Sequence, residues 1–246
     1  MRITEDLVFK AELIKKIAER EFSERTGVHC SDLCYCLNKQ ALRRLHPLPL
    51  DEHEILLFSQ GWATQRWLTG MLTDAPHVEV DGIKVTCDAL VPAGDIAGKS
   101  TPWELKATFQ SSEKVIEENT AWLHQIMAQC YVMVTTEAYL TRLELMGNWG
   151  SVFPKGATKE EREAYRNAPE QQKPTLHAYH LVFTKDELDD NWEWLKARRT
   201  LFLSIERDGY FFRLPKGLAL PQGQDWECRY CSDEYKKQCE EEQCTL

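Results

Sequence analysis

The feature that most constrains this chain is the stretch of residues 78–108, where a hairpin signal is followed by charged residues at strand spacing. Asp81-Gly82 separates two alternating runs, and an Asp-Gly pair in that setting strongly predicts a tight β-hairpin. In the alternating segment that follows, the period of two places Asp88 on the same face as Lys84, opposite Val85. We therefore expect Asp88 to face away from the hydrophobic side of a strand.

A second short segment, Glu104-Leu105-Lys106, sends Leu105 to one face of a strand and both charges to the other. If the two segments are neighbours, Asp88, Glu104 and Lys106 converge on one small volume. Two carboxylates suit Mg²⁺, which binds through one or two of them together with substrate phosphate oxygens. Lys106 then serves as a compact positive charge for an attacking water or a phosphate oxygen. The alternative is a solvated strand face with an incidental ion pair.

At these residues the chain resembles the PD-(D/E)xK nuclease superfamily, whose pattern is a strand Asp followed by Glu/Asp-x-Lys. The resemblance implies that Asp88 and Glu104 bind Mg²⁺ or Mn²⁺ and that Lys106 is the catalytic lysine. A helix is predicted from Glu52 to Leu72. The RecB-like branch carries Gly-x-x-x-His on such a helix, and here Gly61 is followed by Gln65 in the place of that histidine. Gln65 is therefore a candidate third ligand, although an amide does not replace an imidazole for Mn²⁺.

A helix is predicted from Ser112 to Val134, and its second half is apolar nearly all round, which is typical of a helix buried against a sheet. Gln125 and Gln129 share one face of it, and buried amides need hydrogen-bond partners. RecB-like nucleases carry a Gln-x-x-x-Tyr element here, which lines the active site and contacts the DNA strand. The resemblance makes Gln125 a catalytic and DNA-contacting residue, with Gln129 and Tyr131 as further DNA contacts. Alternatively, the amides cap backbone groups of loops.

The cysteines are unevenly placed, which indicates metal binding rather than a disulfide framework. Cys228 and Cys231 form a C-x₂-C knuckle, followed by Cys239 and Cys244. An N-terminal group of Cys30, Cys34 and Cys36 is available to supply a further ligand. Cys87 and Cys130 stand alone and are expected to be buried, reduced thiols.

This distribution resembles that of the CRISPR-associated RecB-like exonucleases, which hold a 4Fe–4S cluster with one early cysteine and three terminal ones. The resemblance implies the ligands Cys36, Cys228, Cys231 and Cys239, with Cys244 as a substitute for Cys239. A zinc site in the tail is the alternative.

Composition limits the partners of this protein. The 246 residues carry a net charge of −9, which argues against broad coating of nucleic acid but leaves room for a local basic channel. A second helix is predicted from Ser31 or Asp32 to Leu45, and Lys39 and Arg43 share one of its faces. That face is either a solvated surface or a phosphate-contacting patch. No apolar run reaches membrane-spanning length and no signal-peptide core opens the sequence, so a cytoplasmic protein without a membrane partner is expected.

The expected fold is α/β: a restriction-endonuclease-like core of a mixed β-sheet flanked by helices, with N-terminal helices and a C-terminal cysteine-bound metal cluster. We expect one domain over 1–246, with a helical part (1–75), a nuclease core (76–210) and a cysteine tail (211–246). The resemblance implies a metal-dependent exonuclease acting on single-stranded DNA ends or flaps, in CRISPR adaptation, recombination and repair, or viral DNA processing. CRISPR adaptation or recombination proteins are its implied partners. The alternatives are a catalytically weak nucleic-acid-binding relative and a zinc-tailed interaction protein.

Overall fold

The structure is a computed structural model that describes residues 4–21, 25–70, 77–92, 100–108, 116–145, 158–167, 174–207, 210–211 and 213–240. Its helices are α1 (Leu7–Glu21), α2 (Cys30–Leu33), α3 (Leu37–Leu45), α4 (Glu52–Thr69), α5 (Thr120–Val132), α6 (Lys159–Asn167), α7 (Lys185–Ile205), α8 (Lys216–Ala219) and α9 (Asp233–Glu240), with 3₁₀ turns at Ile116–Glu118 and Asp225–Cys228. Its strands are β1 (Val28–His29), β2 (His77–Val80), β3 (Ile83–Thr86), β4 (Ala89–Pro92), β5 (Ser100–Thr108), β6 (Glu137–Glu144), β7 (Thr175–Val182), β8 (Glu206–Arg207) and β9 (Tyr210–Phe211).

The central sheet has the order β4-β5-β6-β7 and mixes both pairing directions. β5 runs parallel to β6, whereas β4 pairs antiparallel with β5 and β7 antiparallel with β6. Helices α4 and α5 both contact β5, and α5 buries Ile126 and Cys130 against Ala138 and Leu140 of β6. This mixed sheet flanked by helices confirms the expected α/β architecture.

The predicted hairpin is present between β2 and β3. Asp81 and Gly82 both have positive φ angles, 51° and 69°, as a tight turn between twisted strands requires. The turn is held from α7, because Trp192 Nε1 donates a 2.9 Å hydrogen bond to Asp81 Oδ2 and Arg199 Nε donates to Gly82 O at 3.1 Å. β1 pairs parallel with β3 and completes a second sheet of three strands.

The strand that precedes Asp88 does not continue through it. β3 ends at Thr86 in the three-stranded sheet, and β4 begins at Ala89 in the central sheet. Asp88 therefore lies where the chain passes from one sheet to the other, so the strand alternation does not set the direction of its side chain.

The second predicted helix, expected to run from Ser31 or Asp32 to Leu45, is divided into α2 and α3. The division has a visible cause in the buried guanidinium of Arg198 on α7. It donates hydrogen bonds to Leu33 O at 2.5 Å and Tyr35 O at 2.7 Å, two carbonyls that a continuous helix would use itself. Cys36 consequently becomes the N-cap residue of α3.

The predicted helix from Ser112 is also shorter than expected, since within the described residues α5 begins at Thr120, after a 3₁₀ turn. Residues 109–115 lie outside the described ranges. α4 ends at Gly70, whose φ of +65° provides the left-handed cap that stops a helix. Its predicted end at Leu72 lies outside the described residues.

The C-terminal segment packs on the N-terminal helices through polar contacts. Asn38 of α3 exchanges two hydrogen bonds with the backbone of Leu214, at 2.8 and 3.0 Å. Tyr235 of α9 donates from its hydroxyl to His46 O at 3.0 Å. These hydrogen bonds join the C-terminal segment to α3 and to the residue that follows it. Among the described helices, none combines the length and the apolar character needed to cross a membrane.

Candidate active site

Asp88 is joined directly to the strand that carries the other two predicted residues. Its Oδ2 accepts a 2.7 Å hydrogen bond from the backbone N–H of Leu105, which stands between Glu104 and Lys106 on β5. This bond ties the passage between the two sheets to the middle of β5. As a result, the Asp88 carboxylate lies beside the backbone that presents Glu104 and Lys106.

Glu104 is 1% exposed, and both of its carboxylate oxygens accept hydrogen bonds. Oε1 lies 2.5 Å from Lys106 Nζ, and Oε2 lies 2.6 Å from Gln129 Nε2. A buried carboxylate is costly unless it is paired and hydrogen-bonded, and Glu104 meets both conditions. Its orientation is therefore set by two neighbours rather than by solvent.

Lys106 connects Glu104 to helix α5, because its Nζ also donates to Gln125 Oε1 at 3.1 Å. Burial by itself lowers the pKa of Lys106, but the charges of Glu104, Tyr35 and Asp88 outweigh that effect and raise it above its ordinary value. Lys106 is therefore an ammonium at neutral pH. It is suited to orienting a water or binding a phosphate oxygen, not to accepting a proton.

Gln129 lies beneath Glu104 and is completely buried, at 0% exposed. Its Nε2 donates both to Glu104 Oε2 and to Thr86 O, the latter at 2.9 Å. Its Oε1 has no hydrogen-bond partner among the described residues. Tyr131 is half-buried and stacks on Trp192 of α7, with ring centroids 4.5 Å apart. Gln129 thus lies in the interior, where it positions Glu104, whereas Tyr131 packs against α7 and stays partly exposed.

Gln65 reaches the same site from helix α4, as its Nε2 donates to Asp88 O at 3.2 Å. Gln65, Asp88 and Gln125 all line one open cleft of about 1990 Å³. Thus Gln65 and Gln125 approach Asp88, Glu104 and Lys106 from two different helices.

Asp88 and Glu104 also have the chemistry of a Mg²⁺ or Mn²⁺ site. A carboxylate offers about four lone pairs, and the hydrogen bonds described above use only some of them. Two protein carboxylates with waters and substrate oxygens are a typical ligand set for Mg²⁺. The residues present fit that ion.

The cleft is less acidic than the chain as a whole. Its lining includes six basic residues and six acidic ones, so it is formally neutral while the whole chain carries −9. The basic residues are Arg25, Lys39, Arg43, Arg44, Arg66 and Lys84. Phe58 and Trp62 of α4 stack on each other in its wall, with ring centroids 6.4 Å apart. Trp103, by contrast, donates its indole N–H to Thr141 within the central sheet.

The four cysteines expected to bind a cluster lie in one neighbourhood. Burial raises the pKa of Cys36 to about 12; the backbone N–H of Lys39 lowers it, and the nearby Glu227, Cys239 and Cys228 raise it further. The pKa of Cys231 is also raised, first by its burial and in part by Cys228.

These cysteines are not closed into a ligand set. No three His, Cys, Asp or Glu side chains among the described residues form a group that could hold a metal ion. The four sulfurs have the chemistry of the thiolate ligands that hold an iron–sulfur cluster. Cys244 lies outside the described residues. Cys87 and Cys130 are free and buried in the structure, as expected.

Tyr35, in the break between α2 and α3, was not singled out from the sequence. Burial raises its pKa, and the charge of Lys106 opposes that rise, so the phenol lies near the ammonium. The turn that carries Cys36 therefore borders the candidate active site. No sequence signal marks Tyr35, because its position depends on the break that Arg198 imposes.

No protein-family model and no curated protein sequence matches this chain. Among solved structures, the crystal structure of SSO0001 is similar, with 14% identity, a TM-score of 0.51, and coverage of 90% of this chain and 92% of that one. A phage-related exonuclease from Haemophilus somnus 129PT is 11% identical with a TM-score of 0.42, covering 73% of this chain and 94% of that one. The likeness to SSO0001 shows that the two proteins share a fold over most of their length.

Proposed function

We propose that this protein is a metal-dependent deoxyribonuclease that hydrolyses phosphodiester bonds at single-stranded DNA ends or flaps. The observation that carries the proposal is the connected set of side chains around β5. Asp88 accepts a hydrogen bond from the backbone N–H of Leu105, which lies between Glu104 and Lys106. Lys106 in turn donates to both Glu104 and Gln125. A buried carboxylate–ammonium pair beside a second carboxylate in an open cleft is suited to work on a phosphodiester.

Asp88 and Glu104 would hold Mg²⁺ or Mn²⁺. When bound, such an ion stabilises negative charge in the transition state and makes a hydroxide accessible near neutral pH. Lys106 has three N–H donors, of which Glu104 and Gln125 take two. The third is available to orient the attacking water or a phosphate oxygen.

Gln125 positions both the lysine and the DNA strand in this proposal. Its Oε1 accepts from Lys106, and its side chain lines the cleft. The stacked Phe58 and Trp62 in the cleft wall offer the aromatic surface on which unpaired bases stack. Paired bases in a duplex have no such access, which supports a single-stranded substrate.

We further propose that Cys36, Cys228, Cys231 and Cys239 hold a 4Fe–4S cluster, with zinc as the alternative metal. In this arrangement the metal reinforces the contacts that already join the C-terminal segment to α3. The proposed pathways are CRISPR adaptation, recombination and repair, or viral DNA processing, with the proteins of those pathways as partners.

A second function, binding of nucleic acid with weak or no hydrolysis, is favoured by one observation. Gln65 Nε2 donates a hydrogen bond to Asp88 O, so Gln65 presents an N–H donor to the site. The nucleases that this chain resembles have a metal-binding imidazole at that position. A site with fewer ligands holds its ion more weakly. Such a protein would still bind nucleic acid in the cleft but would hydrolyse it weakly or not at all.

Degradation of end-labelled single-stranded DNA with Mg²⁺ or Mn²⁺ tests the two functions. We expect the wild type to cleave, and Lys106→Ala and Asp88→Asn each to reduce the rate by about 10²- to 10³-fold while DNA binding persists. Lys185→Ala is the matched control, because that lysine is exposed on α7 and pairs with Asp189, away from the candidate site. Binding without cleavage by the wild type under both metals would establish the binding function instead.

A further inference from the structure

We propose that the cysteine knuckle is a wall of the DNA-binding cleft, with Tyr230 as a stacking platform and Lys39 and Arg43 as phosphate contacts. The inference rests on the proposed function and adds to it the path of the substrate strand. The three residues come from the C-terminal tail and from α3, and all of them line the cleft that contains Asp88 and Gln125.

Tyr230 lies between Cys228 and Cys231 and is 76% exposed, although it is a large aromatic residue. Its ring is supported from one side by Trp226, in an edge contact with centroids 6.1 Å apart. An aromatic ring held at its edge leaves a face open to a ligand. Every nucleic-acid base has a flat face of its own, so Tyr230 can stack on a base of any sequence.

Lys39 supplies positive charge next to that ring. Lys39 lines the same cleft as Tyr230 and Cys231 of the knuckle. Within the described part of the chain, no ion pair joins Lys39 to another residue. Because it is not committed to a carboxylate, it can bind a phosphate without first breaking an ion pair.

Arg43 follows Lys39 by one helical turn, on the same face of α3. Among the described residues it forms an ion pair with Glu54, 3.7 Å from Arg43 Nη2 to Glu54 Oε1, and both side chains are more than a third exposed. Exposed ion pairs of this kind are weak. A phosphate oxygen can therefore take the place of the Glu54 carboxylate.

Two other cations of the cleft, Arg44 and Lys84, are engaged more closely. Arg44 Nη2 donates to Asp32 Oδ2 and to Gly27 O, both at 2.6 Å, and Lys84 Nζ donates to Thr26 O at 2.9 Å. These bonds hold the loop before α2 in place. Lys39 and Arg43 are therefore more available to a phosphate than Arg44 and Lys84, and the strand is expected to run past Lys39 and Arg43 toward Gln125.

Binding of a fluorescein-labelled dT oligonucleotide, followed by anisotropy without added divalent cation, tests the stacking contact. We expect Tyr230→Ala to raise Kd about 5- to 140-fold, the equivalent of one lost base stack. Tyr230→Phe retains the ring and is expected to bind as the wild type does. Trp67→Ala is the matched control, since Trp67 is 73% exposed but does not line the cleft.

The salt dependence of the same binding tests the phosphate contacts. For single strands each neutralised phosphate contributes about 0.7 to the slope of log K against log salt, so Lys39→Ala/Arg43→Ala is expected to reduce that slope by about 1.4. Lys185→Ala/Lys196→Ala, two exposed lysines of α7, is expected to leave it unchanged.

Three results would overturn the inference: a wild type that does not bind the oligonucleotide, equal effects of Tyr230→Ala and Trp67→Ala, or an unchanged salt slope. The cleavage assay separates this failure from that of the proposed function. If the wild type cleaves DNA while Tyr230→Ala binds normally, only the substrate path is wrong. If it binds through Tyr230 and never cleaves, only the nuclease activity is wrong.

Discussion

Gln129 Nε2 lies 2.6 Å from Glu104 Oε2, and neither side chain is more than 1% exposed. The same nitrogen is 2.9 Å from Thr86 O at the end of β3. Both neighbours are acceptors, so the orientation of the amide is determined. A buried glutamine on α5 therefore holds the Glu104 carboxylate in one position relative to β3, and this makes Gln129 a positioning residue.

Replacing Gln129 by Met removes the donor and keeps the volume. We expect the free energy of unfolding to fall by about 1–3 kcal/mol, because Glu104 Oε2 loses a buried hydrogen-bond donor. We also expect cleavage to fall more than the stability loss explains, with a higher Mg²⁺ concentration needed for half-maximal rate. Urea denaturation and a Mg²⁺ titration of the initial rate measure the two effects.

Ile126→Val is the control for Gln129→Met, since Ile126 is buried on the same helix but packs against Ala138 and Leu140 rather than Glu104. Ile126→Val is expected to lower the free energy of unfolding by about 0.5–1.5 kcal/mol and to leave the Mg²⁺ requirement unchanged. An unchanged Mg²⁺ requirement in Gln129→Met as well would reduce Gln129 to a purely structural role.

Gln65→His is expected to increase Mn²⁺-supported cleavage relative to Mg²⁺-supported cleavage. Gln65 is within hydrogen-bond distance of the Asp88 backbone, so an imidazole there adds a nitrogen ligand beside the proposed ion. Imidazole suits Mn²⁺ better than an amide does. The rate ratio with the two metals is the measurement, and Gln65→Leu is the control that removes the amide without adding a ligand. Equal ratios for Gln65→His and the wild type would show that α4 takes no part in metal binding.

The sequence predicted the site where its signals were local. The Asp-Gly turn produces its hairpin, and the spacing of Glu104 and Lys106 puts both charges at one place on β5. The convergence with Asp88 was also anticipated, although the reason differed. Asp88 reaches β5 from a passage between two sheets, and no periodicity in the chain marks where a strand leaves one sheet for another.

What the sequence did not predict depends on contacts between distant residues. The break between α2 and α3 exists because Arg198 takes carbonyls of residues more than 160 positions earlier. Gln129 was assigned to DNA by its position in a motif, but its neighbours Glu104 and Thr86 enclose it completely. The spacing of residues along a helix predicts which of them share a face, but it does not predict which other parts of the chain pack against that face.

Loss of the proposed cluster ligands is expected to change the metal content of the protein. Anaerobically purified wild type is expected to be brown and to contain about four iron and four sulfide per chain. Cys228→Ala and Cys36→Ala are expected to lose that colour and most of the iron, whereas Cys130→Ala, a buried thiol on α5, retains both. Colourless wild-type protein with one zinc per chain would instead support the zinc alternative.

A final prediction concerns pH and the joint between α5 and α7. His124 Nδ1 lies 2.6 Å from Asn191 Oδ1, and its ring stacks on Trp194 with centroids 3.9 Å apart. Burial lowers the pKa of His124 below its ordinary 6.5; the hydrogen bond to Asn191 opposes this effect, and the charge of Arg198 adds to it. The unfolded chain therefore binds the proton more tightly than the folded one between the lowered pKa and 6.5.

The contribution of neutral His124 to stability is accordingly complete above pH 6.5 and is lost as the pH falls through its folded pKa. We expect the urea midpoint of the wild type to drop between pH 7.5 and pH 5.5, and His124→Gln to show a smaller drop. His53→Gln, at an exposed position on α4, is the control and should follow the wild type. If His124→Gln shows the same drop as both, protonation of His124 does not govern this joint. Gln125 is the next residue on α5, so a loosened joint at His124 is also expected to reduce cleavage at low pH. His124→Gln cannot be protonated at this position, so any loss of cleavage at low pH that it still shows comes from titration of the carboxylates.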